Sequence, residues 1–323
     1  MTCILLTDAD RFPLSERPAE RLRAERARLI SIDGHDPEEI AAAVQRDRPD
    51  AILVYHARFD APLIGLLDGV RVLGRCGTGY DRIDVDAARA GGIEVTYVPD
   101  YAVEDVADHT VALLLACCRG IVAGALAVRE QSWPAYDALG PLHRLRDRTL
   151  GLLGFGRIAR AVAARAASFG MRLLAYDPGV PGDLIRRHKV EPVDFDALLR
   201  GADVLSVHVP LTTATEGLLG EAAFAAMRPG AVLINTSRGE IIDERALLSA
   251  LGRDGITAAG LDVFTREPLP LDDPLRAHPR VVATPHTAAF TEEALSEVAE
   301  RALDDVFRVL GGADARHPVA MAS

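Results

Sequence analysis

The chain has 323 residues, 49% of them hydrophobic, with 36 Lys and Arg against 47 Asp and Glu, a formal net charge of −11. That length gives room for two domains, each with its own buried core, and the acidic balance argues against nucleic acid or an anionic membrane as a partner. No apolar run approaches the roughly 20 residues that span a bilayer, and residues 1–6 lead straight into Asp8 and Asp10 without the basic start and cleavage site of a signal peptide, so a cytoplasmic protein is expected. Cys3, Cys76, Cys117 and Cys118 lack C-x-x-C spacing, and buried free thiols are expected rather than a disulfide or a metal site.

Residues 3–7 read as a first strand, followed by an Arg-rich helical segment, 18–27. There Arg17, Arg21, Arg23, Arg26 and Arg28 interleave with Glu16, Glu20 and Glu25, which reads as a solvated ion-pair face. Segments 29–32, 37–45, 51–55, 59–67, 70–75, 85–90 and 93–98 continue an alternation of strand and helix, the pattern of a parallel sheet. From Val103 to about Glu130 runs one long helical pattern through Val106, Val111, Leu113, Leu114 and Leu115, apolar enough to be buried or to lie at an interface.

Gly154-Phe155-Gly156-Arg157-Ile158-Ala159 follows the apolar run 149–153 and opens a helical run ending near Phe169. In this G-x-G-x-x-A pattern the first glycine permits the tight turn, the second lets a pyrophosphate approach, and small Ala159 lets helix and strand pack closely. Amides at the helix N-terminus would hold the phosphates. A second strand, 171–176, ends at Asp177, where a carboxylate is placed to accept from an adenosine ribose, and the pairing predicts NAD.

Further strands at 204–208, 231–235, 258–263 and 281–283 alternate with helices at 194–199, 221–226 and 244–251, and a last helix, 291–310, follows Pro285-His286. The expected fold is α/β with two parallel-sheet domains, a Rossmann NAD-binding domain and a flavodoxin-like discontinuous substrate domain. The expected boundaries are 1–99, 100–288 and a returning segment 289–323.

Leu73-Gly74-Arg75-Cys76-Gly77-Thr78-Gly79-Tyr80-Asp81, the glycine turn, Asn235-Thr236-Ser237-Arg238-Gly239, the run from Gly260 to Pro268 and Thr284-Pro285-His286-Thr287-Ala288 occur in this order along the chain. In them the sequence resembles the D-isomer-specific 2-hydroxyacid dehydrogenases over nearly its whole length. Within that family it is similar to D-3-phosphoglycerate dehydrogenases through Gly74 to Gly79, and to C-terminal-binding-protein-like members through Val54-Tyr55-His56-Ala57. It departs from the family at Arg82, where Asn is usual, and at Ala159, which replaces the commoner third glycine.

Reducing a 2-keto acid requires a proton donor, a partner that keeps the donor charged, and a cation for the carboxylate. The resemblance assigns these roles to His286, Glu267 and Arg238. Glu267 held against the far ring nitrogen favours imidazolium, and the planar fork of Arg238 suits a carboxylate and its neighbouring carbonyl. The substrate set is Arg75, Gly77, Thr78, Gly79 and Arg238, with backbone amides near Thr78 and Gly79 taking a carboxylate oxygen. Arg75 is expected to meet a second anion on the substrate, although His56 stands where a second arginine is expected.

The cofactor set is Thr78, Gly154, Gly156, Arg157, Ile158, Asp177, Val209, Pro210, Thr215, Thr236, Ser237 and Asp262. The resemblance gives Asp262 to the nicotinamide carboxamide, Thr236 and Ser237 to the ring's surroundings, and Val209-Pro210 to the adenosine side. Thr215 fixes that loop or caps a turn. His109 and His208 read as structural, and Ser237 and Cys76 lack a triad signature. A homodimer through 103–130 is implied. The alternative reading is an NAD-sensing, corepressor-like scaffold with little or no turnover, against which weighs the lack of extended disordered tails.

Overall fold

The computed structural model of the chain describes residues 1–34, 36–130, 133 and 142–320. It divides into two compact units, Met1–Tyr101 with Phe290–Ser323, and Ala102–Ala289. In the first, β1 (Cys3–Leu6), β2 (Arg28–Ser31), β3 (Ala51–Val54), β4 (Val72–Arg75) and β5 (Glu94–Thr96) form one sheet in the order β2-β1-β3-β4-β5. All neighbours are parallel, the flavodoxin-like arrangement. Every residue of β1 and β3 is buried, which is why these strands read as unbroken apolar runs rather than as alternation.

The strands are linked by α1 (Glu16–Ala24), α2 (Pro37–Asp47), α3 (Ala61–Ile64) and α4 (Val85–Ala90). Asp36, Asp60 and Asp84 cap the last three by accepting first-turn amides. The helical segment expected over 59–67 shrinks to the four residues of α3, between the Asp60 cap and Gly65. Phe59 outside it forms a bridge to Ile83.

The second unit opens with α5 (Val103–Cys118) and α6 (Ile121–Arg129), so the single helix expected through this region is broken. Gly120 takes the left-handed conformation, φ 61° and ψ 30°, which ends the hydrogen-bond ladder, and the axes bend by 64°. α5 buries Val106, Val111, Leu113 and Leu114, whereas no residue of α6 is buried. Among the described residues no single helix is long and apolar enough to cross a membrane; α5 and α6 reach that length and apolarity only as this bent pair.

There follow β6 (Thr149–Leu153), α7 (Arg157–Ser168), β7 (Arg172–Tyr176), α8 (Gly182–Arg187), β8 (Glu191–Pro192), α9 (Phe195–Gly201), β9 (Val204–Val207), α10 (Glu221–Ala226), β10 (Ala231–Asn235), α11 (Glu244–Gly252), β11 (Ile256–Leu261) and β12 (Val281–Ala283). The sheet is parallel throughout, in the order β12-β11-β10-β9-β6-β7-β8. From β6 the chain winds outward to β7 and β8, then returns to β9 on the other side. That reversal is the switch point at which open α/β sheets bind ligands beyond their carboxyl ends. The last helix, α12 (Glu292–Leu310), returns to the first unit, where Val298, Ala302, Leu303 and Val306 share a core with Ile4, Leu53 and Val72.

Candidate active site

Within the second unit, the carboxyl ends of three neighbouring strands, β10, β11 and β12, lead into Arg238, Glu267 and His286 respectively. The turn after β10 is built by buried Asn235, whose Oδ1 accepts the Ser237 amide at 3.0 Å and whose Nδ2 donates to the Arg238 carbonyl at 2.8 Å. The Arg238 guanidinium donates to the Ser237 carbonyl at 2.7 Å. Ser237 Oγ donates to the Val209 carbonyl at 2.5 Å, so the loop after β9 is tied to the turn that carries the arginine.

His286 sits at φ 56°, in the left-handed region where a histidine carries strain. Its amide donates to the carbonyls of Asp262 at 2.8 Å and Thr284 at 3.0 Å. Nδ1 of its ring lies 2.9 Å from Glu267 Oε2, and Glu267 Oε1 accepts the Phe264 amide at 3.1 Å.

Asp262 is completely buried, and its carboxylate accepts the hydroxyl of Thr284 at 2.6 Å and the amides of Thr287 and Ala288 at 2.9 Å each, with His109 Nε2 3.4 Å away. Burial alone would push this carboxyl up, but the hydrogen bonds from His109, Thr284 and the two amides outweigh it and hold the group below its ordinary value. The carboxylate thereby braces the turn around His286.

The glycine turn has the shape a dinucleotide needs. Gly154 adopts φ 94°, and a Cβ there would stand 2.8 Å from the carbonyl carbon of His208, so only glycine lets the turn lie against the end of β9. A Cβ on Gly156 would meet nothing within 4 Å, and as the N-cap of α7 it carries no side chain, so a ligand can approach the backbone at this helix N-terminus. Ala159 is fully buried beneath it. Asp177, at the end of β7, accepts the Phe155 amide at 2.7 Å and the Gly179 amide at 2.9 Å, so the expected ribose acceptor is itself anchored to the turn. These residues fit NAD.

Thr215 Oγ1 donates to the Pro210 carbonyl at 2.6 Å and accepts the Thr212 amide at 2.8 Å, stapling the 210–215 loop. His208 is half-buried, with Nε2 2.8 Å from Ser206 Oγ, and desolvation of the ring pushes it down to about 4.

In the first unit, Arg75 at the end of β4 turns back on its own loop, Nε donating to the Gly79 carbonyl at 2.8 Å and a terminal nitrogen to the Cys76 carbonyl. Thr78 Oγ1 donates to the Val98 carbonyl at 3.1 Å, while the amides of Thr78 and Gly79 make no hydrogen bond among the described residues. The Cys76 thiol is buried and pushed up to about 12, which suits a packing role and not a nucleophile. His56, after β3, donates its amide to Asp8 at 3.0 Å, stacks its ring on Phe12 at 5.0 Å, and accepts from Arg82 at its carbonyl at 3.2 Å. Arg82, the departure from the family pattern, therefore braces the loop after β3.

Residues 111–288 match the family model described as D-isomer specific 2-hydroxyacid dehydrogenase, NAD binding domain. The chain is 36% identical to D-3-phosphoglycerate dehydrogenase from Archaeoglobus fulgidus over 96% of this chain and 58% of that protein. It is 40% identical to glyoxylate reductase from Korarchaeum cryptofilum over 76% of this chain and 75% of the relative. The crystal structure of TT0316 protein from Thermus thermophilus superposes with a TM-score of 0.87 at 35% identity, covering 99% of this chain and 100% of that one. The chain spans only 52 to 60% of the length of the phosphoglycerate dehydrogenases it matches here.

Proposed function

Since the chain belongs to the D-isomer specific 2-hydroxyacid dehydrogenases, whose NAD-binding domain its second unit contains, we propose that it interconverts a small D-2-hydroxy acid and the matching 2-keto acid. The observation that carries this reading is the 2.9 Å pairing of His286 Nδ1 with Glu267, one strand end away from the turn that bears Arg238. Nicotinamide, when bound, supplies the hydride for reduction and takes it in oxidation. Gly154, Gly156, Arg157 and Ile158 would hold the pyrophosphate and Asp177 the ribose. Val209, Pro210 and Thr215 would border the adenosine side, and Thr236, Ser237 and Asp262 the nicotinamide side.

Arg238 holds the carboxylate through its fork and polarises the carbonyl. His286 gives its proton from Nε2 to the carbonyl oxygen in reduction and takes it back in oxidation. Glu267 fixes the ring through Nδ1, selects the tautomer and stabilises the imidazolium that the reductive direction needs. The Thr78 and Gly79 amides are offered to an anionic ligand, the Gly77 amide being donated to the Arg75 carbonyl at 2.9 Å, and Arg75 keeps that turn in shape. NADH oxidation by the purified chain with a panel of 2-keto acids, from glyoxylate and pyruvate to phosphorylated and dicarboxylic acids, tests the reading. NADH binding without turnover of any acid would reject it in favour of a cofactor-sensing scaffold.

We also propose a homodimer. α6 exposes Ile121, Leu126 and Val128 by 55, 49 and 54%, an apolar face that fits a second copy better than water. A mass of one chain by light scattering would refute it.

A further inference from the structure

Two consecutive residues near the middle of α5 reach two different loops of the candidate site. His109 Nε2 lies 3.0 Å from Thr284 Oγ1, two residues before His286, and Thr110 Oγ1 lies 2.8 Å from Thr236 Oγ1, two residues before Arg238. The proton assignments follow from what each partner can do. A carboxylate only accepts, so Thr284 gives its single hydroxyl proton to Asp262, and His109 Nε2 must then donate to Thr284. Thr110 likewise gives its proton to the Val106 carbonyl at 2.7 Å, so Thr236 donates to Thr110. Thr110 is fully buried and Asp262 is too, so neither chain of hydrogen bonds is a solvent-facing accident.

The helix that supplies both contacts is packed into the core at this point. Its neighbours Ala107, Val111, Leu113 and Leu114 belong to the core beneath the sheet. The turns it touches lie outside the strand ladders: one holds His286 at a positive φ, and the other is shaped by the Asn235 side chain.

We propose that His109 and Thr110 are a pair of positioning residues that set the His286 turn and the Arg238 turn in register from one helix, His109 acting through Thr284 and Asp262 and Thr110 through Thr236. Neither touches substrate in this account. The proposal rests on the dehydrogenase reading for its kinetic arm and on geometry alone for its structural arm.

The test compares His109→Leu and Thr110→Val, which remove the contacts, with His109→Gln and Thr110→Ser, which can keep a donor and an acceptor in place. Amide hydrogen exchange on the cofactor-free chain is expected to rise over residues 284–288 in His109→Leu and over 236–239 in Thr110→Val, each variant leaving the other turn and the rest of the unit at parental rates. Both should lose about 10- to 100-fold in kcat, the scale of a slight misplacement of reacting groups, with KM for the keto acid and NADH affinity within about twofold of the parent. The conservative variants should recover most of the loss. Parental exchange at both turns, faster exchange throughout the unit, or unchanged kcat in both apolar variants would overturn the proposal. If the parent turns over no 2-keto acid, the dehydrogenase reading fails, and the exchange experiment still decides the positioning pair.

Discussion

The Glu267 carboxylate bridges the ring of His286 to the backbone of its own loop: Oε2 meets His286 Nδ1 at 2.9 Å, and Oε1 takes the Phe264 amide at 3.1 Å. The glutamate therefore has both a fixed place and a charge to offer. Glu267→Gln keeps a hydrogen bond but removes the charge that favours imidazolium. The kcat for reduction should fall by about 10- to 100-fold in the variant, the scale of a slightly misplaced reacting group, with NADH affinity at the parental value. A kcat within about twofold of the parent would separate Glu267 from the mechanism.

Asp177 accepts two amides, Phe155 and Gly179, at the end of β7, and a carboxylate there repels the 2′-phosphate of NADP while accepting from ribose hydroxyls. Arg186, the first basic residue downstream, pairs with Asp183 at 2.7 Å. The parent should prefer NADH over NADPH in kcat/KM, and Asp177→Ala should narrow the gap chiefly by losing NADH efficiency. Equal efficiency of the parent with both cofactors contradicts the assignment.

The neutral state of His208 carries a stability signature. Folded, the ring protonates only near 4, against about 6.5 in the unfolded chain. Between these values the unfolded state binds more protons, so this group withdraws stability as pH falls from about 6.5 toward about 4. Urea unfolding of the parent and His208→Gln at pH 7 and pH 5 should show a smaller acid loss in the variant. An identical loss in both would mean that the ring is not held neutral.

The guanidinium of Arg75 engages the carbonyls of Cys76 and Gly79. This geometry favours a brace for the turn over a receptor for a second anion. Arg75→Ala should then lower kcat/KM by similar factors for pyruvate and for a phosphorylated or dicarboxylic keto acid. A loss confined to the anionic substrates would restore the second-anion reading.

What could be read from the sequence, and what could not, follows from the range of the interactions. The glycine turn was legible because a tight turn, an open cradle and a close helix–strand contact each restrict residue type within six positions, and Gly154, Gly156 and Ala159 meet those demands. The strands β1, β3, β6, β9 and β10 were legible because burial on two faces leaves little but apolar side chains, whereas the two residues of β8, Glu191 and Pro192, are exposed or half-buried and make no such run. The break at Gly120 was not, since glycine inside a helical pattern is often tolerated and only its positive φ marks the end of α5. The wiring of His109 and Asp262 was hidden for another reason. A lone histidine on an apolar helix reads as a packed residue, and its partner Thr284 is 175 positions away along the chain. The double engagement of Asp177 and the folding back of Arg75 are side-chain choices that residue spacing does not encode.

The account rests on His286 as the group that moves the proton, and NADH oxidation by the parent and by His286→Asn measures this most directly. With a 2-keto acid that the parent reduces, the variant should keep its NADH affinity, read by fluorescence titration, and lose roughly 10²–10⁴ in kcat. A variant that retains more than about half of the parental kcat would contradict the assignment and the mechanism built on it.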